Sequence, residues 1–229
     1  MIFNGFQKMT LLDFPGRVAC TLFAGGCNFR CPFCHNAGLV LGGVTESYSE
    51  DEILDYLSKR KGLLDGVCIT GGEPLLRPDL KEFIIKVRAL GYAVKLDTNG
   101  SLPERLYELI EEGLIDYVAM DVKSSLAGYG RAVGIENFDT ADIEKSIDLL
   151  LEDRVDYEFR TTVAHPLHSA EDIEALCQRI KGAKRYFIQN FVDSGNLIGE
   201  GLSALDPEIM QQMLEIAKKY IPDTSLRGI

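Results

Sequence analysis

Short apolar runs alternate with amphipathic stretches along the chain. The runs Arg17–Phe23, Gly66–Thr70, Ala93–Thr98, Asp116–Val122, Tyr157–Val163 and Arg185–Phe191 are rich in β-branched or aromatic residues, and most lack strict polar alternation. That pattern predicts strands buried on both faces. Between them the apolar positions recur at helical spacing. Ser49-Glu50-Asp51-Glu52 reads as a capping box that opens a helix to about Lys59. Leu80, Phe83, Ile84, Val87 and Leu90 form one face of a second helix that stops at Gly91, and Pro103 suits the first turn of a third. Ile143, Ile147, Leu150 and Leu151 make the stripe of a fourth, with Thr140 as its expected cap; Ser169 caps a fifth carrying Ile173, Leu176 and Ile180. Ile209, Met213, Ile216, Ala217 and Tyr220 mark the last as core.

Six strand–helix units imply a parallel sheet with right-handed crossovers. A complete eight-unit barrel needs about 250 residues, and this chain has 229. The expected fold is therefore a single-domain α/β protein, a partial (β/α)6 TIM-like barrel that stays laterally open, with a lead-in over residues 1–16. An open doubly wound sheet is the alternative that periodicity does not separate from it.

Charge and composition change this picture only at the margins. A net charge of −11 argues against a nucleic-acid partner, which would need clustered Lys and Arg. No apolar run approaches a membrane span, and residues 1–8 lack the order of a secretory signal. A cytoplasmic protein with reduced thiols is expected. Of six cysteines, Cys20, Cys68 and Cys177 sit singly among apolar residues and read as small buried hydrophobes.

The other three, Cys27, Cys31 and Cys34, share one loop over residues 25–36 with spacing C-x3-C-x2-C. Three readings compete. Cys31-Pro32-Phe33-Cys34-His35 matches a c-type haem attachment, but that leaves Cys27 idle and needs export. A Cys3His zinc site would use the adjacent ligands Cys34 and His35, which suit a tetrahedron poorly. The third reading is a [4Fe-4S] cluster whose fourth iron is open to a ligand. Polar motifs at the other strand ends favour it. These are Thr70-Gly71-Gly72-Glu73-Pro74, Asp97-Thr98-Asn99-Gly100, Asp121-Val122-Lys123, Arg160 and Gln189-Asn190, and parallel α/β folds place their sites at that rim.

With Gly71-Gly72-Glu73-Pro74 following it, the cysteine loop resembles that of the radical S-adenosylmethionine (SAM) enzymes. Asp97-Thr98-Asn99-Gly100, Asp121-Val122-Lys123 and Arg160 resemble the glycyl-radical-enzyme activases among them. The run Thr10–Thr21 is similar to the longer type of anaerobic ribonucleotide reductase activating proteins. No ferredoxin insert is present, so one cluster is implied. The resemblance implies reductive cleavage of SAM to a 5′-deoxyadenosyl radical and formation of a glycyl radical on a partner enzyme, with anaerobic ribonucleotide reductase as the expected partner. A flavodoxin or ferredoxin-type electron donor is expected beside it.

The resemblance also implies roles at the rim. Glu73 accepts a hydrogen bond from SAM's ammonium, while Gly71 and Gly72 allow close backbone approach. Phe33 packs on the adenine or shields the cluster, and His35 donates to a cluster sulfur or to SAM, or is a turn residue. Asp97, Thr98, the Ala119 carbonyl and Asp121 form a monovalent-cation site (Na+ or K+) beside SAM's carboxylate, although each Asp alone also reads as a helix cap. Lys123 and Arg160 neutralise that carboxylate or hold the ribose. His165 and His168 read as capping or solvent-facing residues, and no His follows the sixth strand. The rival readings are a pyruvate formate-lyase-type activase, a small-molecule enzyme such as 7-carboxy-7-deazaguanine synthase, and a non-catalytic iron–sulfur electron carrier.

Overall fold

The apolar runs pair side by side, in chain order, into one twisted sheet. The computed structural model describes residues 1–228. In chain order its elements are β1 (Ile2–Phe3), β2 (Gly5–Thr10), β3 (Ala19–Ala24), α1 (Ala37–Leu41), β4 (Tyr48–Ser49), α2 (Glu50–Ser58), β5 (Gly66–Gly71), α3 (Leu80–Ala89), β6 (Ala93–Thr98) and α4 (Pro103–Glu111). They continue with β7 (Tyr117–Asp121), α5 (Tyr129–Val133), α6 (Ala141–Leu151), β8 (Asp156–Val163), α7 (Ala170–Arg179), β9 (Tyr186–Asn190), α8 (Pro207–Lys218) and β10 (Thr224–Arg227). A 3-10 turn, Pro74–Leu76, follows β5.

The large sheet has eight strands in the order β10-β9-β8-β7-β6-β5-β3-β2. All its pairs are parallel except β2 with β3. The six expected strands are its centre, and the sheet does not close, so the partial-barrel expectation holds. Two edge strands were not expected. β2 and β10 alternate with polar residues and are largely exposed or half-exposed, which weakens the hydrophobic signal that identifies the inner strands. The first central strand begins at Ala19 rather than Arg17, because residues 13–18 turn the chain back from β2. β1 pairs with β4 in a separate two-stranded ribbon.

β3, β5 and β7 are buried over almost their whole length because helices cover one face and the barrel interior the other. Ser49 and Ser169 close capping boxes with Glu52 and Asp172, as the motifs predict. Thr140 does not cap α6. Its hydroxyl donates to Glu144, and Asp139 accepts the Ala141 N–H at 3.0 Å instead, where a carboxylate also meets the positive helix end. The buried residues of α8 are Met210, Met213 and Ala217: Met213 and Ala217 are on the expected face, while Met210 is buried in place of Ile209, which is exposed. Among the described residues no helix is long and apolar enough to cross a membrane.

Candidate functional site

The carboxyl ends of the parallel strands form one rim, and the loop after β3 folds over it. The loop is anchored by backbone bonds from Gly26 N to Leu39 O (3.0 Å), Glu73 N to Gly26 O (2.9 Å) and Gly72 N to Ala24 O (2.8 Å). Asn36 Nδ2 ties its far end to the Gly71 carbonyl at 2.8 Å. The result is a cavity of about 260 Å³ walled by Cys27, Cys31, Cys34, Phe33 and His35 on one side. Gly71, Gly72, Asp97, Thr98, Asp121, Lys123 and Arg160 complete it from the strand ends. Twelve sequence-predicted site residues thus meet around one space.

Glu73 and Ala119 do not line it. Glu73 is fully buried behind the rim, where Oε1 accepts from Leu75 N (3.0 Å) and Thr98 Oγ1 (2.9 Å), and Oε2 accepts from Asn99 N (2.7 Å). Both oxygens are therefore committed to the chain, and the expected acceptor for a ligand ammonium instead holds the β5 and β6 ends together. Burial pushes its carboxyl up to about 7, against the pull of these three donors. The glycines serve the same join. A Cβ on Gly71, whose φ is +120°, would collide with Ala24, and one on Gly72 with the Gly26 carbonyl oxygen. The close approach that requires glycine is between the cysteine loop and β5, within the chain itself.

This geometry has counterparts. Residues 21–180 match the model of the Radical SAM superfamily. The chain belongs to the radical SAM superfamily. It is 34% identical over 245 residues, covering 99% of this chain and 95% of the relative, to a Methanocaldococcus jannaschii protein named provisionally as a glycyl-radical enzyme activating enzyme. A 7-carboxy-7-deazaguanine synthase of Koribacter versatilis is 37% identical over 136 residues, 58% of this chain and 56% of that one. In fold, a radical SAM methyltransferase from Sphaerobacter thermophilus superposes with a TM-score of 0.75 at 13% identity, covering 96% of this chain and 68% of that one.

The radical SAM superfamily implies a [4Fe-4S] cluster and SAM, and the residues present fit both. Three soft thiols from one loop face the cavity, a donor set suited to iron–sulfur ligation with one iron left open. Burial pushes the Cys31 thiol up to about 12 and also raises Cys27, so in the absence of a metal both are protonated. The Cys27 sulfur receives Phe29 N–H at 3.4 Å and lies 3.7 Å from Asn99 Nδ2, contacts that would stabilise negative charge on a ligated sulfur. Cys20, Cys68 and Cys177 lie in the core, in β3, β5 and α7.

For SAM's carboxylate the rim offers Lys123 and Arg160. Arg160 Nη1 and Nε bind Asp97 Oδ2 (3.1 Å) and Asp121 Oδ1 (2.9 Å), and Lys123 Nζ binds Asp121 Oδ2 (2.9 Å). Burial alone would raise both carboxyls, but Arg160 with Lys95 at Asp97, and Arg160 with Lys123 at Asp121, hold them below the usual range. Lys123 likewise stays charged, because Asp121 outweighs its burial. The expected alkali-cation site of Asp97, Thr98, Ala119 and Asp121 does not fit these contacts. All four carboxylate oxygens carry chain cations, and the Thr98 hydroxyl donates to Glu73 and accepts from Gly100 N.

Sequence reasoning missed three contributors. Asn99, part of the strand-end motif but given no role of its own, joins the Cys27 sulfur, Asn28 and Glu73 through its side chain and N–H. His168, expected to cap or face solvent, is buried; Nδ1 accepts from Ala164 N at 3.2 Å and Nε2 donates to the Lys123 carbonyl at 2.8 Å. Burial lowers its pKa, and its ring meets Phe33 edge-on, 5.6 Å between centroids. It braces both Lys123 and the cysteine loop. Lys95, unremarkable inside a strand pattern, is buried against Asp97. In the place of a histidine after the sixth strand, Gln189 lines the cavity, and Phe191 packs against His35.

Proposed function

We propose that this chain is a glycyl-radical-enzyme activase whose partner is an anaerobic ribonucleotide reductase. When bound, the cluster and SAM supply the one-electron chemistry that removes a hydrogen atom from a substrate carbon. Cys27, Cys31 and Cys34 hold the cluster, Lys123 and Arg160 receive SAM's carboxylate, and Phe33 and the loop exclude water. Asp97 and Asp121 orient those cations rather than act as bases, since hydrogen-atom abstraction needs no proton acceptor.

One observation carries the choice of a protein substrate. On the unclosed side of the sheet, a second cavity of about 640 Å³ is bounded by Leu12, Asp13 and Pro15 after β2 and by Arg227 and Gly228 at β10. It shares Asp97, Arg160 and Gln189 with the cysteine-lined cavity, so the lateral opening leads towards the chemistry. An opening of this kind suits an extended peptide loop. The near-full-length likeness to the M. jannaschii protein supports the same reading, and the run Thr10–Thr21 supports the reductase as partner.

The test is anaerobic. Cluster-loaded protein, SAM, a strong reductant or reduced flavodoxin and an anaerobic ribonucleotide reductase of the same organism are mixed and frozen for electron paramagnetic resonance. A glycyl-radical doublet is expected. SAM cleavage without a doublet would remove the reductase as partner; a doublet on pyruvate formate-lyase, or turnover of a purine-like small molecule, would name the replacement.

A further inference from the structure

Lys95 precedes Asp97 by two residues on β6, so both side chains point into the barrel. The Lys95 side chain is 2% exposed. Its ammonium binds Asp97 Oδ1, stands 3.8 Å from the Cys68 sulfur and lies over the Tyr117 ring, 5.9 Å from the centroid. A lysine this buried would lose its proton if unpartnered, yet Asp97 outweighs the cost of burial and keeps it charged.

The surrounding charges can be counted by contact. Lys95 and Arg160 share Asp97, and Arg160 and Lys123 share Asp121, so three positive and two negative groups leave one positive charge in excess. The neighbouring acids are occupied elsewhere. Glu73 holds three chain donors, Glu158 accepts from the Tyr117 hydroxyl and pairs with Arg227, and Asp13, which lines the lateral cavity with Lys95, accepts from the Thr21 hydroxyl and touches none of the three cations. An alkali ion added to this set would raise the excess to two, and it would have to displace a chain cation, because every oxygen of Asp97 and Asp121 already carries one. A ligand carboxylate would neutralise it.

We propose that the Lys95 ammonium is the resident monovalent cation of this site, occupying the place on Asp97 that a sodium or potassium ion would need. SAM then binds without any alkali metal. The inference rests on membership of the radical SAM superfamily and not on the identity of the glycyl-radical partner.

The experiment is an equilibrium titration of SAM into anaerobic cluster-loaded protein, in buffers whose cation is sodium, potassium or tetramethylammonium, which is too large to enter the site. Wild-type Kd values are expected to agree within about twofold. Lys95→Met, similar in length but neutral, should bind SAM about tenfold more weakly in tetramethylammonium, about 1.4 kcal/mol, and recover in sodium or potassium. Lys95→Arg, which keeps the charge, should remain insensitive to the buffer cation. A wild-type affinity that falls about tenfold without alkali ions would overturn the proposal, as would a Lys95→Met protein that binds like wild type in every buffer. If Lys95→Met fails to load its cluster, the wild-type titration alone decides. A missing glycyl radical in the partner assay leaves these binding curves unchanged.

Discussion

Glu73 is where a residue's type and its surroundings point in different directions. An acid after two glycines at a strand end suggests a group offered to a ligand, but here its three hydrogen bonds all run to the chain. Removing it strands the Leu75 and Asn99 N–H groups and the Thr98 hydroxyl, each a buried loss of about 1–3 kcal/mol when left unpaired. The folded carboxyl binds its proton more tightly than the unfolded one, at about 7 against 4.5. Its contribution to stability is therefore greatest below pH 4.5 and falls as pH rises through about 7, by about 3 kcal/mol in all. Glu73→Ala is expected to destabilise the protein by about 3 kcal/mol near pH 5 and by clearly less near pH 8, measured by urea unfolding at both. Equal losses at the two values would show that Glu73 is not uncharged in the acid-side fold. The cysteines divide at the same scale. Serine at Cys27, Cys31 or Cys34 should abolish the brown chromophore and bound iron after anaerobic reconstitution, while serine at Cys20, Cys68 or Cys177 should leave both. Loss of iron in Cys68→Ser alone would reassign the ligands.

At the scale of elements, the active rim depends on how the β3 loop sits on β5. Two backbone bonds, Gly72 N to Ala24 O and Glu73 N to Gly26 O, and two glycines make that join, and Gly72 leaves no room for a methyl group between itself and the Gly26 carbonyl. Gly72→Ala must displace either the loop or the end of β5, at a cost of about 1–3 kcal/mol by the usual measure of overpacking. Because Cys27 directly follows Gly26, the same shift moves a cluster ligand. The expected outcome is a folded protein, by circular dichroism, that binds less iron than wild type. Full iron loading with unchanged stability would mean that the loop is free to move away from β5. Gly91, by contrast, has open space around it and serves only to end α3 in a left-handed conformation.

For the molecule as a whole, local pattern and long-range contact contribute differently. The six central strands, both capping boxes and the three-cysteine loop were legible because their signals lie within a few neighbouring residues: burial on both faces, a Ser three residues before an acid, and thiols at ligand spacing. β2 and β10 were not, since an edge strand buries too little to declare itself by hydrophobicity. On α8 Met213 and Ala217 are buried as their spacing indicates, but Met210 takes the place of Ile209, because the edge of a stripe is set by what packs on it. Local pattern alone was enough to establish a parallel α/β architecture and three thiols set over a polar rim. Which charge meets which is a property of the assembled fold. Asp97 and Arg160 are 63 residues apart, Lys123 and His168 are 45 apart, and Glu73 meets Asn99 from 26 away. A side chain's role in a buried site is fixed by the partners that replace its water, and those partners arrive from other strands.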